Sequence, residues 1–107
     1  MSATEVSFID KFIVPEKGVT EFLGRVAVNR KFIKDLPGFI RDNAYERTDE
    51  YRNLIFITIA IWESQEAVKN AKEAVQAEYL RQGFSPEEMF QRLGITMDRG
   101  IYKNASH

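Results

Sequence analysis

The chain has 107 residues, which leaves room for one domain and no more. Its composition is that of a globular protein, and 15 Lys and Arg against 16 Asp and Glu give a net charge of −1, so nothing in the charge balance calls for nucleic acid or an anionic membrane as a partner. Cysteine is absent, which excludes disulfides, zinc–thiolate sites and thiol nucleophiles.

The first predicted element is a strand over residues 6–14. Phe8, Asp10, Phe12 and Val14 point to one face, and Ile9, Lys11 and Ile13 to the other. Pro15 ends it, because proline cannot donate to a strand ladder. Residues 17–36 then take up a helical period, with Val19, Phe22, Leu23, Val26, Ile33 and Leu36 on one stripe. Gly24 lies inside this helix, where glycine is unfavourable by roughly 1 kcal/mol relative to alanine, and the pattern predicts close packing at that point. Asn29 sits on the seam between Val26 and Ile33; it is either a helix-edge amide or a polar group aimed into a pocket.

Pro37-Gly38 stops the helix, and a second strand is predicted over residues 39–47, with Phe39, Arg41, Asn43 and Tyr45 on one face. After the polar turn TDEYRN comes the strongest strand, LIFITIAIW, over residues 54–62. Both of its faces are apolar, so it is expected to be buried on two sides. Ser64 is placed to cap a helix running to about residue 82, with a small inner face of Ala67, Ala71 and Ala74, and Gly83 fits the position just past its end. Ser85-Pro86-Glu87-Glu88 is a capping box with proline at the first helical position, and Gly94 closes that short helix. Residues 95–103 form the last strand.

The order β-α-β-β-α-α-β predicts an α+β, ferredoxin-like split β-α-β fold, in which helices cover one face of a four-stranded antiparallel sheet. The domain is expected to span residues 6–103, with residues 1–5 and 104–107 as flexible termini. The sheet's other face still carries large apolar residues, and such a face calls for a partner. The simplest partner is a second copy of the chain, giving a homodimer.

Landmarks along the chain resemble the antibiotic biosynthesis monooxygenase family. These are Pro15 to Gly18 after the first strand, Pro37-Gly38-Phe39, and Trp62-Glu63-Ser64 followed by Glu66-Ala67. The resemblance covers residues 6–75, and the last strand follows in the expected order. It implies a dimeric α+β barrel and, for some members, oxygenation of polycyclic phenols or quinols without metal or flavin, so no cofactor is expected. It also implies, in many members, a histidine nine residues after the strand tryptophan, where this chain has Ala71. Members that cleave haem would carry a tryptophan near that point and a histidine ten residues on; here the residues are Ala71 and Arg81. With no interior axial ligand, haem degradation is not expected.

The only histidine is His107, the last residue, which removes the commonest base and metal ligand from any interior site, and no metal is expected. The segment MSATEVSF lacks the pattern of a signal peptide, and no apolar stretch approaches the roughly 18 residues of a membrane span, so the cytoplasm is the expected compartment.

Oxygenation without a cofactor needs a base in a water-poor pocket that fits a planar substrate. Asp10, flanked on its own face by Phe8 and Phe12, is the candidate base; alternatively it pairs with a cation such as Arg99. Trp62 and Thr58, with Ala60 between them, either leave a slot for a flat ligand or belong to close core packing. Arg41, Asn43 and Tyr45 suit an oxygen-bearing aromatic ligand or a polar dimer seam, and Tyr79 on the second long helix either closes a pocket or faces solvent. Two functions follow: a cofactor-independent monooxygenase of a small aromatic or quinol-type molecule, or a non-catalytic dimer that binds a small hydrophobic ligand. A small isomerase or lyase on the same fold stays open.

Overall fold

In the computed structural model, residues 4–105 are described; His107 and the outermost termini lie outside them. Strand β1 (Val6–Val14) leads through a single 3-10 turn (Glu16–Gly18) into helix α1 (Val19–Ile33). Strands β2 (Phe39–Thr48) and β3 (Leu54–Trp62) follow, then helices α2 (Gln65–Gln82) and α3 (Pro86–Leu93), and finally β4 (Thr96–Tyr102). The four strands make one antiparallel sheet in the order β2-β3-β1-β4. This is the ferredoxin-like α+β fold, with β1 and β3 at its centre.

Local signals explain the boundaries. Helix α1 ends at Ile33 and the chain leaves in a turn closed by Leu36 N–H donating to the Ile33 carbonyl at 3.0 Å. Pro37 disfavours a helical conformation at Leu36, and the expected extension to Leu36 is lost. The Ser64 hydroxyl caps α2 by accepting from Ala67 N–H at 3.1 Å, and the Ser85 hydroxyl caps α3 by accepting from Glu88 N–H at 3.2 Å. Gly24 does not mark close packing: a Cβ added there meets nothing within 4 Å. Gly38 is required, because its φ is +84° and an added Cβ would stand 2.5 Å from the Ala67 Cβ.

Register decides which side chains share a face. Asp10 lies opposite Thr58 on β3 and Arg99 on β4, and Thr58 lies opposite Ala44 on β2. These residues look toward the helices, with Phe8, Phe12, Phe56, Ala60 and Trp62. Ile9, Ile57, Ile59, Asn43 and Tyr45 look the other way, where no element covers the sheet. Strand β2 has an irregularity between Phe39 and Arg41, where two residues advance against one on β3. Ile40 is the extra residue, so Phe39 faces the helices while Arg41, Asn43 and Tyr45 face away. The expected common face of all four is corrected by this one-residue slip.

The helix-side core has two clusters. One gathers Phe12, Val14, Phe22, Leu54, Phe56, Met89, Leu93 and Ile95. Phe22 stands edge-on to Phe12 and Phe56, with ring centroids 4.9 and 5.6 Å away. The second gathers Val6, Ile33, Ala60, Trp62, Val68 and Ala71. The landmarks PGF and WES meet here: Glu63 N–H donates to the Gly38 carbonyl at 2.8 Å, and Phe39 stands edge-on to Trp62. Among the described residues no helix is long and apolar enough to cross a membrane.

Candidate functional site

Between the two apolar clusters runs a polar seam. Its centre is Asp10, whose carboxylate is only 9% exposed and accepts two hydrogen bonds from Arg99. Arg99 Nε donates to Oδ1 at 2.7 Å and Nη2 to Oδ2 at 2.9 Å, a bidentate pair across adjacent strands. The hydrogen bond to Asp10 raises the pKa of Arg99 further above its already high value, so its charge is permanent. The pairing with Arg99 is the alternative that the sequence left open for Asp10.

Asn29 and Tyr79 lie over this seam from the helices. The Tyr79 hydroxyl donates to Asn29 Oδ1 at 3.2 Å, joining α2 to α1. Burial pushes the Tyr79 phenol up, Arg25 and Arg99 pull it down, and Asp10 adds a smaller upward push. Tyr79 therefore shares one electrostatic environment with Asp10 and Arg99, and it is not a solvent-facing tyrosine. Its ring also stands edge-on to Phe84 at 5.2 Å, and the Arg25 guanidinium lies 3.6 Å over the Phe84 ring.

The expected site residues divide into three groups. Asp10, Thr58, Asn29 and Tyr79 come together on the helix side. Trp62 shares that side but is 3% exposed and packed against Phe39, Ala60 and Val68, so core packing fills the slot beside it. Arg41, Asn43 and Tyr45 stand on the uncovered face, separated from Asp10 by the sheet itself.

Two features escaped the sequence reading. Asp42 is buried on the helix side, where Arg30 Nε donates to its Oδ2 at 2.6 Å and fastens α1 to β2. The irregularity at Ile40 hid it by reversing the apparent face of every later residue on β2. The second feature is an open groove of about 320 Å³ between α2 and β4, lined by Gln65, Glu66, Val68, Lys69, Lys72 and Ile101. Neither Asp10 nor Arg99 lines it, but Ile101 shares the strand face of Arg99, and the Lys72 ammonium and the Arg99 guanidinium stand 5.3 and 5.1 Å from the centroid of the Phe8 ring.

No family model matches the chain, and no curated protein matches it. Solved structures do. SnoaB of Streptomyces nogalater, a cofactor-independent oxygenase, superposes with a TM-score of 0.72 at 24% identity, over 98% of this chain and 97% of that one. The two share a fold. A candidate monooxygenase from Shewanella loihica matches with a TM-score of 0.68 at 22% identity, over 100% and 99% of the two chains. The de novo designed protein Foldit4 also matches, with a TM-score of 0.63 at 11% identity, over 94% and 98%. The ferredoxin-like α+β fold expected from the order of elements is thus the fold found. A designed protein shares it, so the fold by itself carries no chemistry, and function has to be argued from the seam.

Proposed function

We propose that the chain is a cofactor-independent monooxygenase of a small aromatic or quinol-type molecule, with the polar seam on the helix side as its active site. The observation that supports this most is the Asp10–Arg99 pair, set between two apolar clusters, with Arg99 sharing the Phe8 ring with Lys72 of the open groove. The carboxylate retains lone pairs beyond the two that Arg99 engages, so it can take a proton from an acidic phenol or activated carbon. Arg99, permanently charged, then holds the resulting anion. The anion passes one electron to dioxygen, and the radical pair couples to a peroxide that takes the proton back. Loss of water leaves a carbonyl on the substrate. One atom of dioxygen stays in the product, the other leaves as water, and the substrate supplies the electrons. Tyr79, anchored by Asn29, would orient the oxygen-bearing end of the substrate.

The working unit in this reading is a homodimer. Ile9, Ile57 and Ile59 lie on the uncovered face with Tyr45, which is 57% exposed, and a second copy would cover them. Asn43 and Arg41 would then belong to the interface. A stable monomer in sedimentation at micromolar concentration overturns this part.

A second reading, a non-catalytic binder of small hydrophobic molecules, is favoured by the bidentate engagement of Asp10 and by Ala71, buried where the family resemblance implies a histidine. Oxygen uptake against hydroquinones, anthrones and flavonols, without added cofactor, separates the two. The oxygenase reading expects uptake that requires the protein and is lost in Asp10→Asn. Uptake that survives that change discards Asp10 as base, and ligand binding with no uptake favours the binder.

A further inference from the structure

The proposed reaction uses none of the groove's side chains, and Lys72 is one of the two cations among them. Lys72 lies on α2, seven residues before Tyr79, and therefore on the same side of the helix two turns earlier. Its ammonium stands 5.3 Å from the centroid of the Phe8 ring, and the Arg99 guanidinium stands 5.1 Å from the same ring. Two cations thus converge on one phenylalanine. Arg99 is neutralised by Asp10, but among the described residues no carboxylate forms a salt bridge with Lys72. Lys69, one turn earlier, adds a further positive charge to the rim. Glu66 is the groove's one carboxylate, six residues and about 9 Å along the helix from Lys72.

We infer that Lys72 selects substrates bearing a carboxylate on the aromatic ring. The inference rests on the oxygenase reading for its site and adds the charge and size of the ligand. The ring would lie along Val68 and Ile101, which line the groove, with its carboxylate on the Lys72 ammonium and a neighbouring hydroxyl turned toward Asp10 and Arg99. An anion placed there balances the Lys72 charge, as Asp10 balances that of Arg99. At about 320 Å³ the groove is at the small end of ligand pockets, which run from roughly 300 to 1,000 Å³, and it suits two fused rings better than four.

The test is direct binding of 1-hydroxy-2-naphthoate and its methyl ester, measured by calorimetry on the full chain. Neither measurement requires turnover, so the outcome is independent of whether the protein consumes oxygen. The expected result is at least tenfold tighter binding of the carboxylate, a preference lost in Lys72→Gln and kept in Lys72→Arg. Lys72 is exposed, so its replacement leaves the core intact, and ester binding is expected to be unchanged in both variants. Equal affinity for acid and ester, a preference that survives Lys72→Gln, or no binding of either probe overturns the inference. Carboxylate-selective binding without oxygen uptake from the corresponding quinol would uphold the role of Lys72 and remove the oxygenase reading.

Discussion

The two faces of the sheet solve different problems with the same four strands. On the helix side, Phe12, Phe56, Phe8 and Trp62 pack under α1, α2 and α3, yet Asp10 and Asp42 are buried among them and each is matched by an arginine. On the other side, β3 presents isoleucines at every second position, and no charged pair is buried there among the described residues. Burying a carboxylate is unfavourable unless it is paired, so each takes an arginine, whereas an apolar face without a cover favours association.

Substitutions can break that contrast. The largest effect is expected on the helix side, at Phe22, which is 1% exposed between Phe12 and Phe56. Phe22→Ala should lower stability by about 3–5 kcal/mol in urea unfolding. Asp10→Asn and Asp42→Asn each weaken a charge-assisted pair, and each should lower stability by about 1–2 kcal/mol. Only Asp10→Asn should abolish oxygen uptake, and equal loss of activity in both would return Asp10 to a structural role. Gly24→Ala, on the open side of α1, should raise stability by about 0.5–1 kcal/mol, since the added Cβ meets nothing.

Ile59→Glu sharpens the contrast from the other face. It should leave the monomer folded and shift the sedimentation coefficient from dimer to monomer, whereas an unchanged coefficient would separate this face from assembly.

The smallest effect concerns the end of α2. Hydrogen bonds from Arg81 and then Gln82 hold Glu78 down to about 2 from an ordinary 4.5. A depressed carboxylate stabilises the fold above its unfolded pKa and loses that contribution as pH falls through the folded one. The last turn of α2 should therefore loosen between pH 4.5 and about 2, and a carboxyl titration by NMR should place the Glu78 midpoint at the lower end.

Much of this was legible in the sequence because it is governed by local rules. The period-two runs located β1 and β3 to the residue, and Ser64, Ser85, Gly83 and Gly94 marked helix ends through caps whose hydrogen bonds the structure contains. The face of β2 was not legible, because a single extra residue at Ile40 leaves no trace in composition yet inverts every later side chain. That slip sets Arg41, Asn43 and Tyr45 on the face away from Phe39 and Asp10, and it kept Asp42 out of view. The groove depends on α2 and β4 bringing Lys72 and Ile101 to its two sides, an arrangement that no spacing along the chain announces.

The most direct test is to add 1-hydroxy-2-naphthoate to isotopically labelled protein and follow backbone amide shifts by NMR. The account predicts perturbations at Phe8, Asp10, Lys72, Tyr79, Arg99 and Ile101, with Asn43, Tyr45, Ile57 and Ile59 unmoved. Perturbations confined to the isoleucine face would contradict it and place the ligand where a second copy of the chain is expected.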